Sequence, residues 1–244
     1  MIASFHLIQY RRRSFSPPKR LAGQAEGLLF WRPLNIGGDF GWFREHPSRW
    51  ALYPRLRPDF RRWAFYAVWN EEALLDEFLV KSAAGRSWRD SAAEAYHLWL
   101  RPIRAHGRWQ GIRMLQGSET TAPRGAPVAY LARLDLSARA TVAMWGSAAP
   151  SLLHHLPDRD NMLLGVPLVD RPYTQPVSFS LWRTREAAMA FAHRESGHRD
   201  AIRRLQRSQH NVVARFSSAG FEPYRCQGTW NGRDPLPALR GAAA

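Results

Sequence analysis

Three features of the 244-residue sequence predict an α+β fold made of two like halves. WAFYAVWNEEALLDEF (63–78) parallels PVSFSLWRTREAAMAF (176–191): each reads as a strand ending in Trp69 or Trp182, then a helix carrying Phe78 or Phe191. GRWQG (107–111) and GTWNG (228–232) share a G-x-W-x-G pattern. The Trp and Phe pairs lie 113 residues apart and the glycine motifs 121, so the halves differ by an insertion of eight, as duplication would leave. Third, both halves run through the same order of periodic segments.

In the first half, residues 2–10 alternate as a strand and 15–27 read as a helix. Residues 31–60, rich in Gly, Pro and aromatics, suit a long ordered loop. A strand follows over 61–69, helical pieces over 71–91 and a strand over 94–102. The Gly-, Ser-, Thr- and Pro-bearing stretch after it is aperiodic and reads as a linker. The second half gives a strand at 127–136, a helix at 139–155, strands at 161–169 and 175–182, helices at 184–193 and 198–207, and a strand at 211–217. Cys226 falls after that strand in a segment read as irregular. Strand–helix–strand–strand–helix–strand is the ferredoxin-like unit. Two such units, packed sheet against sheet, would leave a pocket inside a barrel-like core. The expected division is 1–113 for the first half, 114–126 for the linker, 127–235 for the second half with the functional site, and 236–244 for a disordered tail.

A content of 45% hydrophobic residues supports a sizeable core, and 11 Trp with 12 Phe suits either dense aromatic packing or a large apolar ligand pocket. The formal charge is +15, but Lys19 and Lys81 are the only lysines, so 33 of 35 basic residues are arginine. The basic residues are dispersed, with no run of five, which argues against a nucleic-acid surface. A basic balance of this kind also suits peripheral contact with an anionic membrane. Cys226 stands alone, excluding an intramolecular disulfide and a cysteine zinc site. With no 18-residue apolar run and no signal-peptide order at the N-terminus, a cytoplasmic or membrane-peripheral protein is expected.

Phosphate-loop, dinucleotide, HExxH and GxSxG signatures are missing, so the nine histidines carry the search for a ligand. His193 and His198 fall on different sides of a helix, and the adjacent His154 and His155 cannot both face one ion. In SGHRDAIRRL (196–205), His198 shares a face with Ala201, Ile202 and Leu205, while Arg199, Asp200, Arg203 and Arg204 lie opposite. Ser196 suits an N-cap, placing His198 in the first turn, where the helix dipole favours a neutral imidazole. Such a histidine is either a packed core residue or the one protein ligand a haem requires. Cys226 is the rival thiolate ligand, and a small buried thiol is the simpler reading of it.

QPVSFSLW (175–182), Phe191, the Gly197, His198, Ala201, Ile202, Arg203 arrangement and GTWNGRDPL (228–236) form an ordered set of motifs with AVWNEE (67–72), EAYHLWLRP (94–102), GRWQG and APSLLHHL (149–156). In these the chain resembles the spheroidene monooxygenases, carotenoid ketolases acting on acyclic carotenoids. The sequence departs from the family pattern at LPDRD (156–160) and at Arg199. The resemblance implies a dimeric α/β barrel of tandem ferredoxin-like units and an oxygen-dependent enzyme with b-type haem. It makes His198 the axial ligand of the haem iron and places His155 on a second family histidine. It also implies an external reductant such as a ferredoxin and an apolar, carotenoid-like substrate, oxidised twice at one allylic carbon to give a ketone after loss of water. Two alternatives stay open: a haem enzyme of the same fold performing dehydration or peroxide-driven oxidation, and a non-catalytic lipid- or pigment-binding protein in which His198 is merely packed.

Overall fold

The computed structural model describes residues 1–14, 25–37, 59–109, 112–113, 123–144, 160–193 and 215–239. In chain order these form β1 (Ile2–Tyr10), β2 (Leu28–Ile36), β3 (Arg62–Trp69), α1 (Glu72–Lys81), α2 (Ala83–Ser91), β4 (Ala92–His106), β5 (Arg108–Trp109), β6 (Ile112–Arg113), β7 (Val128–Asp135), α3 (Ala138–Ala143), β8 (Met162–Arg171), β9 (Gln175–Trp182), α4 (Arg185–His193) and β10 (Arg215–Gly228).

Eight strands close an antiparallel barrel in the order β1-β3-β2-β8-β9-β7-β10-β4. The first four strands run 4-1-3-2, and the matching strands of the second half run 10-7-9-8. The second half also shows the full strand–helix–strand–strand–helix–strand order, so the mixed α/β reading holds and both sheets of the barrel come from one chain. One seam between the halves, β4 with β10, pairs over most of both strands, whereas β2 meets β8 only at Asn35 and Ile36.

Alternation explains the barrel. Ala3, Phe5 and Leu7 of β1 point inward with Ala64, Tyr66 and Val68 of β3, Leu131 of β7, Val166 of β8, Phe179 of β9 and Phe221 of β10. Phe5 stacks on Phe179 with ring centroids 3.8 Å apart and planes 9° apart, joining the two sheets at the centre. The expected pocket inside the barrel is therefore absent at these positions, because large side chains from facing strands meet across it. Cys226 lies within β10 rather than in an irregular segment. Its thiol is buried in this core and donates to the Leu236 carbonyl at 3.4 Å.

The two G-x-W-x-G motifs close opposite ends of the barrel. Trp109 follows β4, is fully buried against Phe30 and Tyr66, and donates its indole N–H to Asp170 at 2.9 Å. Trp230 follows β10, where the Arg62 guanidinium sits 4.7 Å from its ring centre. Each motif opens on a left-handed glycine, Gly107 at φ +77° and Gly228 at φ +95°. A Cβ on Gly228 would stand 2.1 Å from the Ala95 carbonyl oxygen, so the chain reverses there only because nothing fills that space.

Three expectations need correction. Residues 31–36, expected in a loop, belong to β2: Phe30, Leu34 and Ile36 keep the inward alternation, and Pro33 is tolerated on a strand whose second edge is mostly open. The strand expected at 211–217 runs instead from Arg215 to Gly228, passing Gly220 and Pro223 by register shifts against β4. Residues 236–239, expected in a disordered tail, place Leu236 in the core and form a 3-10 turn over Pro237–Leu239. The sequence parallel between the halves is matched in packing: Trp69 and Phe78 lie 5.1 Å apart between ring centroids, and Trp182 and Phe191 lie 5.2 Å apart.

Candidate functional site

His155 and His198 lie outside the described residues, so the site is built from the sheet surface that the second half presents. Outward positions on the two halves can be matched by register, counting back from Trp69 and Trp182. Phe65 then corresponds to Ser178 and Ala67 to Ser180. Across the neighbouring strands, Trp31 corresponds to Gly165, Ser4 to Tyr130, His6 to Ala132, His97 to Ser218 and Trp99 to Gly220.

In the first half these positions are filled. Trp31 stacks on Phe65 at 5.2 Å, and Trp88 from α2 lies 4.7 Å from Phe65 and 5.9 Å from Trp31. Helices α1 and α2 cover the layer because Leu75, Phe78, Ala84 and Trp88 fall on their inner faces. Ser82 ends α1 and caps α2, accepting the Gly85 amide at 2.8 Å, which fixes the angle between them. Trp99 donates to Asp76 at 3.0 Å, and Arg225 spans Asp76, Glu72 and the Trp99 ring.

The second half keeps the same backbone and lacks the bulk. Gly165, Ser178, Ser180, Ala132, Ser218 and Gly220 form a floor of small side chains, broken only by Tyr130. Among the described residues, the apolar packing on this face is limited to Val128, Met162, Trp182 and Ala188 with the flanking Ile103, Tyr130, Ala187 and Phe191. Trp182 is held by its indole N–H donating to Ser180 at 2.9 Å. Burial raises the pKa of the Tyr130 phenol, so it remains a neutral hydroxyl at physiological pH. Trp182 and Phe191, 5.2 Å apart between ring centroids, wall one end of this floor. Among the described residues, no group of three or more His, Cys, Asp or Glu side chains could hold a bare metal ion.

The first half also contains a histidine pair, His6 fully buried and His97 partly so, that sequence patterning did not mark. His6 and His97 approach to 2.9 Å between their Nδ1 atoms, and His6 Nε2 lies 2.9 Å from Ser4 Oγ. The Trp69 indole can only donate, and it does so to Ser4 Oγ at 3.0 Å. Ser4 can then donate to His6 Nε2, and His6 can donate from Nδ1 to His97 Nδ1, which gives each of the three contacts one donor and one acceptor with both rings neutral. Burial, with His97 adding repulsion, holds His6 well below the ordinary histidine value, and burial lowers His97 to about 4. The pair lies 91 residues apart in sequence and becomes visible only when β1 is laid beside β4.

No protein-family model matches the chain. It is similar to the spheroidene monooxygenase of Rhodobacter capsulatus, 28% identical over 213 residues, which is 86% of either chain. The enzyme of the same name from Rubrivivax gelatinosus is 29% identical over 178 residues, covering 73% of this chain and 66% of the relative. That of Cereibacter sphaeroides is 25% identical over 184 residues, covering 74% of this chain and 55% of the relative. Among solved structures, an aldoxime dehydratase matches with a TM-score of 0.53 at 10% identity, over 91% of this chain and 81% of its own. An aldoxime dehydratase solved with butyraldoxime gives a TM-score of 0.50 at 10% identity, over 91% and 79%. At that identity the two structures show a shared fold and nothing about chemistry.

Proposed function

We infer the activity of this chain from its place among the spheroidene monooxygenases, the family its three relatives support, and from the small-residue face of its second half. It is an oxidoreductase of the monooxygenase type. In our reading it is a haem-dependent ketolase that introduces oxygen from O2 into an apolar, carotenoid-like chain with electrons from an external donor such as a ferredoxin. The observation that carries the haem is the exchange of Trp31, Phe65, His6, His97 and Trp99 for Gly165, Ser178, Ala132, Ser218 and Gly220 at matched positions of the two sheets. A sheet surface stripped of five large side chains while its backbone is retained makes room for a flat group.

His198 would hold the iron, with His155 a second residue toward the same group. When bound, haem would supply the activation of O2. The protein's own part is placement. The small floor would leave room for a macrocycle beside the strands, Trp182 and Phe191 form an apolar wall, and Tyr130 offers a neutral hydroxyl that can donate a hydrogen bond without adding charge. The matched strand orders and the paired Trp–Phe contacts support descent of both halves from one duplicated ferredoxin-like unit.

The test is product analysis. Haem-loaded protein incubated with an acyclic carotenoid, O2 and a reduced ferredoxin system should yield an oxygenated, ketone-bearing polyene, and should yield none under argon. Conversion that runs equally well without O2 would refute the monooxygenase chemistry.

A further inference from the structure

At the barrel end closed by Trp109, strands β7, β8, β9 and β10 surround a cavity of about 580 Å³ lined by Arg108, Arg133, Asp135, Arg171, Gln175 and Arg215, together with Gly107, Phe216 and Ser217. Four guanidinium groups thus face one carboxylate. Arg133 is 1% exposed and lies over the Trp109 ring at 5.4 Å. Its two terminal nitrogens bind Asp135 at 2.7 and 2.6 Å, and Gln175 donates to the same carboxylate at 2.6 Å. Arg133 Nε has no hydrogen-bond partner and lies 3.5 Å from Asp170, which already accepts the Trp109 indole. Gln175 Oε1 is also buried without a partner. Asp135 and Asp170 are thus both engaged by Arg133.

Neither Arg171 nor Arg215 forms an ion pair among the described residues, although both line the cavity beside a fixed, buried arginine. Both side chains are solvent-exposed, so their guanidinium groups are accessible to a ligand from solution. Arg32, facing into the barrel at the same end, feels this field: burial lowers its pKa, Asp170 opposes that, and Arg133 and Arg171 reinforce it. Guanidinium forks match the planar oxygens of carboxylates and the faces of phosphates. A phosphate alone would leave much of the volume empty, and the half-exposed Phe216 ring beside Ser217 supplies an apolar lip.

We propose that this cavity is a binding site for an organic oxoanion, a phosphate- or carboxylate-bearing molecule whose charged head meets Arg171 and Arg215 and whose carbon portion lies toward Phe216. The proposal does not depend on the haem reading. The cavity is set by the barrel end, and its residues are separate from the small-residue floor.

The test uses full-length protein and two probes. Inorganic phosphate is titrated at constant ionic strength, with chloride as the balancing salt, and thermal unfolding is followed for three proteins: the native chain, Arg171→Gln/Arg215→Gln, and Arg124→Gln/Arg139→Gln, which removes equal charge elsewhere. The expected result is a saturable rise in Tm for the native and Arg124/Arg139 proteins, with half-saturation moved at least tenfold in the cavity variant. Co-sedimentation with vesicles of phosphatidylglycerol in phosphatidylcholine, against phosphatidylcholine alone, then identifies the source. Retention that free phosphate competes away, and that the cavity variant loses, supports the site with a lipid headgroup as ligand. A phosphate response without retention supports it with a soluble anion. A Tm rise equal in all three proteins, or no saturable rise and no phosphatidylglycerol-dependent retention, would overturn the proposal.

Discussion

If the small-residue floor of the second half receives a flat ligand, filling it should abolish binding while leaving the fold nearly untouched. Ser178→Phe restores at that position the side chain that Phe65 supplies in the first half. The serine is half-buried, and its neighbours across the strands are Ala132 and Pro167, so the new ring has no large side chain to collide with on either adjacent strand. A substitution that meets no filled layer changes stability by about 0.5 kcal/mol or less, whereas overpacking a filled layer costs about 1–3 kcal/mol. The reverse change, Phe65→Ser, empties a fully buried position under Trp31 and Trp88 and should cost about 3–5 kcal/mol. The assays are urea unfolding of the haem-free protein and haem titration followed by Soret absorbance. Ser178→Phe should keep its urea midpoint and lose at least tenfold in haem affinity, about 1.4 kcal/mol, while Ser178→Ala should retain both. Haem uptake unchanged in Ser178→Phe, or a loss of stability as large as that of Phe65→Ser, would refute the reasoning.

Two further outcomes follow from the first half and from the barrel end. The His6–His97 pair is neutral in the fold, so acid favours the unfolded chain, whose histidines titrate near 6.5. Stability is therefore fully present above pH 6.5 and falls on acidification toward about 4; with the value for His97, the loss at pH 5 is about 2 kcal/mol. Urea midpoints at pH 7 and pH 5 check this, and a His97→Leu protein with the same pH slope as the native chain would contradict it. Trp109→Ala removes a fully buried indole together with the ring beneath Arg133 and should cost about 3–5 kcal/mol by the same unfolding assay, with a change under 1 kcal/mol counting against its role as the barrel plug.

Most strands were legible because one face of each carries unbroken alternation into the barrel. Residues Ala3, Phe5 and Leu7, or Val177, Phe179 and Leu181, need no tertiary knowledge to be read as buried. β2 escaped because Arg32 stands at an inward position and Pro33 follows it, so local chemistry spoke for a loop while the barrel required a strand. β10 was read short because Gly220 and Pro223 look like breakers, and they are accommodated only by register shifts against β4. The G-x-W-x-G motifs were visible as a repeat, yet their task of closing the two barrel ends depends on β4 and β10 being antiparallel neighbours. The bare floor of the second half was written in the sequence as Gly, Ser and Ala, and it acquires meaning only by comparison with the filled positions that the pairing register matches to it. The His6–His97 contact and the arginine-lined cavity join strands far apart in sequence, which no local pattern reports.

The central claim is tested most directly by the visible spectrum of the purified chain after haem loading, recorded beside His198→Ala. The account predicts a strong Soret band in the native protein that is lost or displaced in the variant, with both proteins giving the same urea midpoint in the haem-free state. A native protein that stays colourless after haem addition, or a variant with an unchanged Soret band, would contradict it.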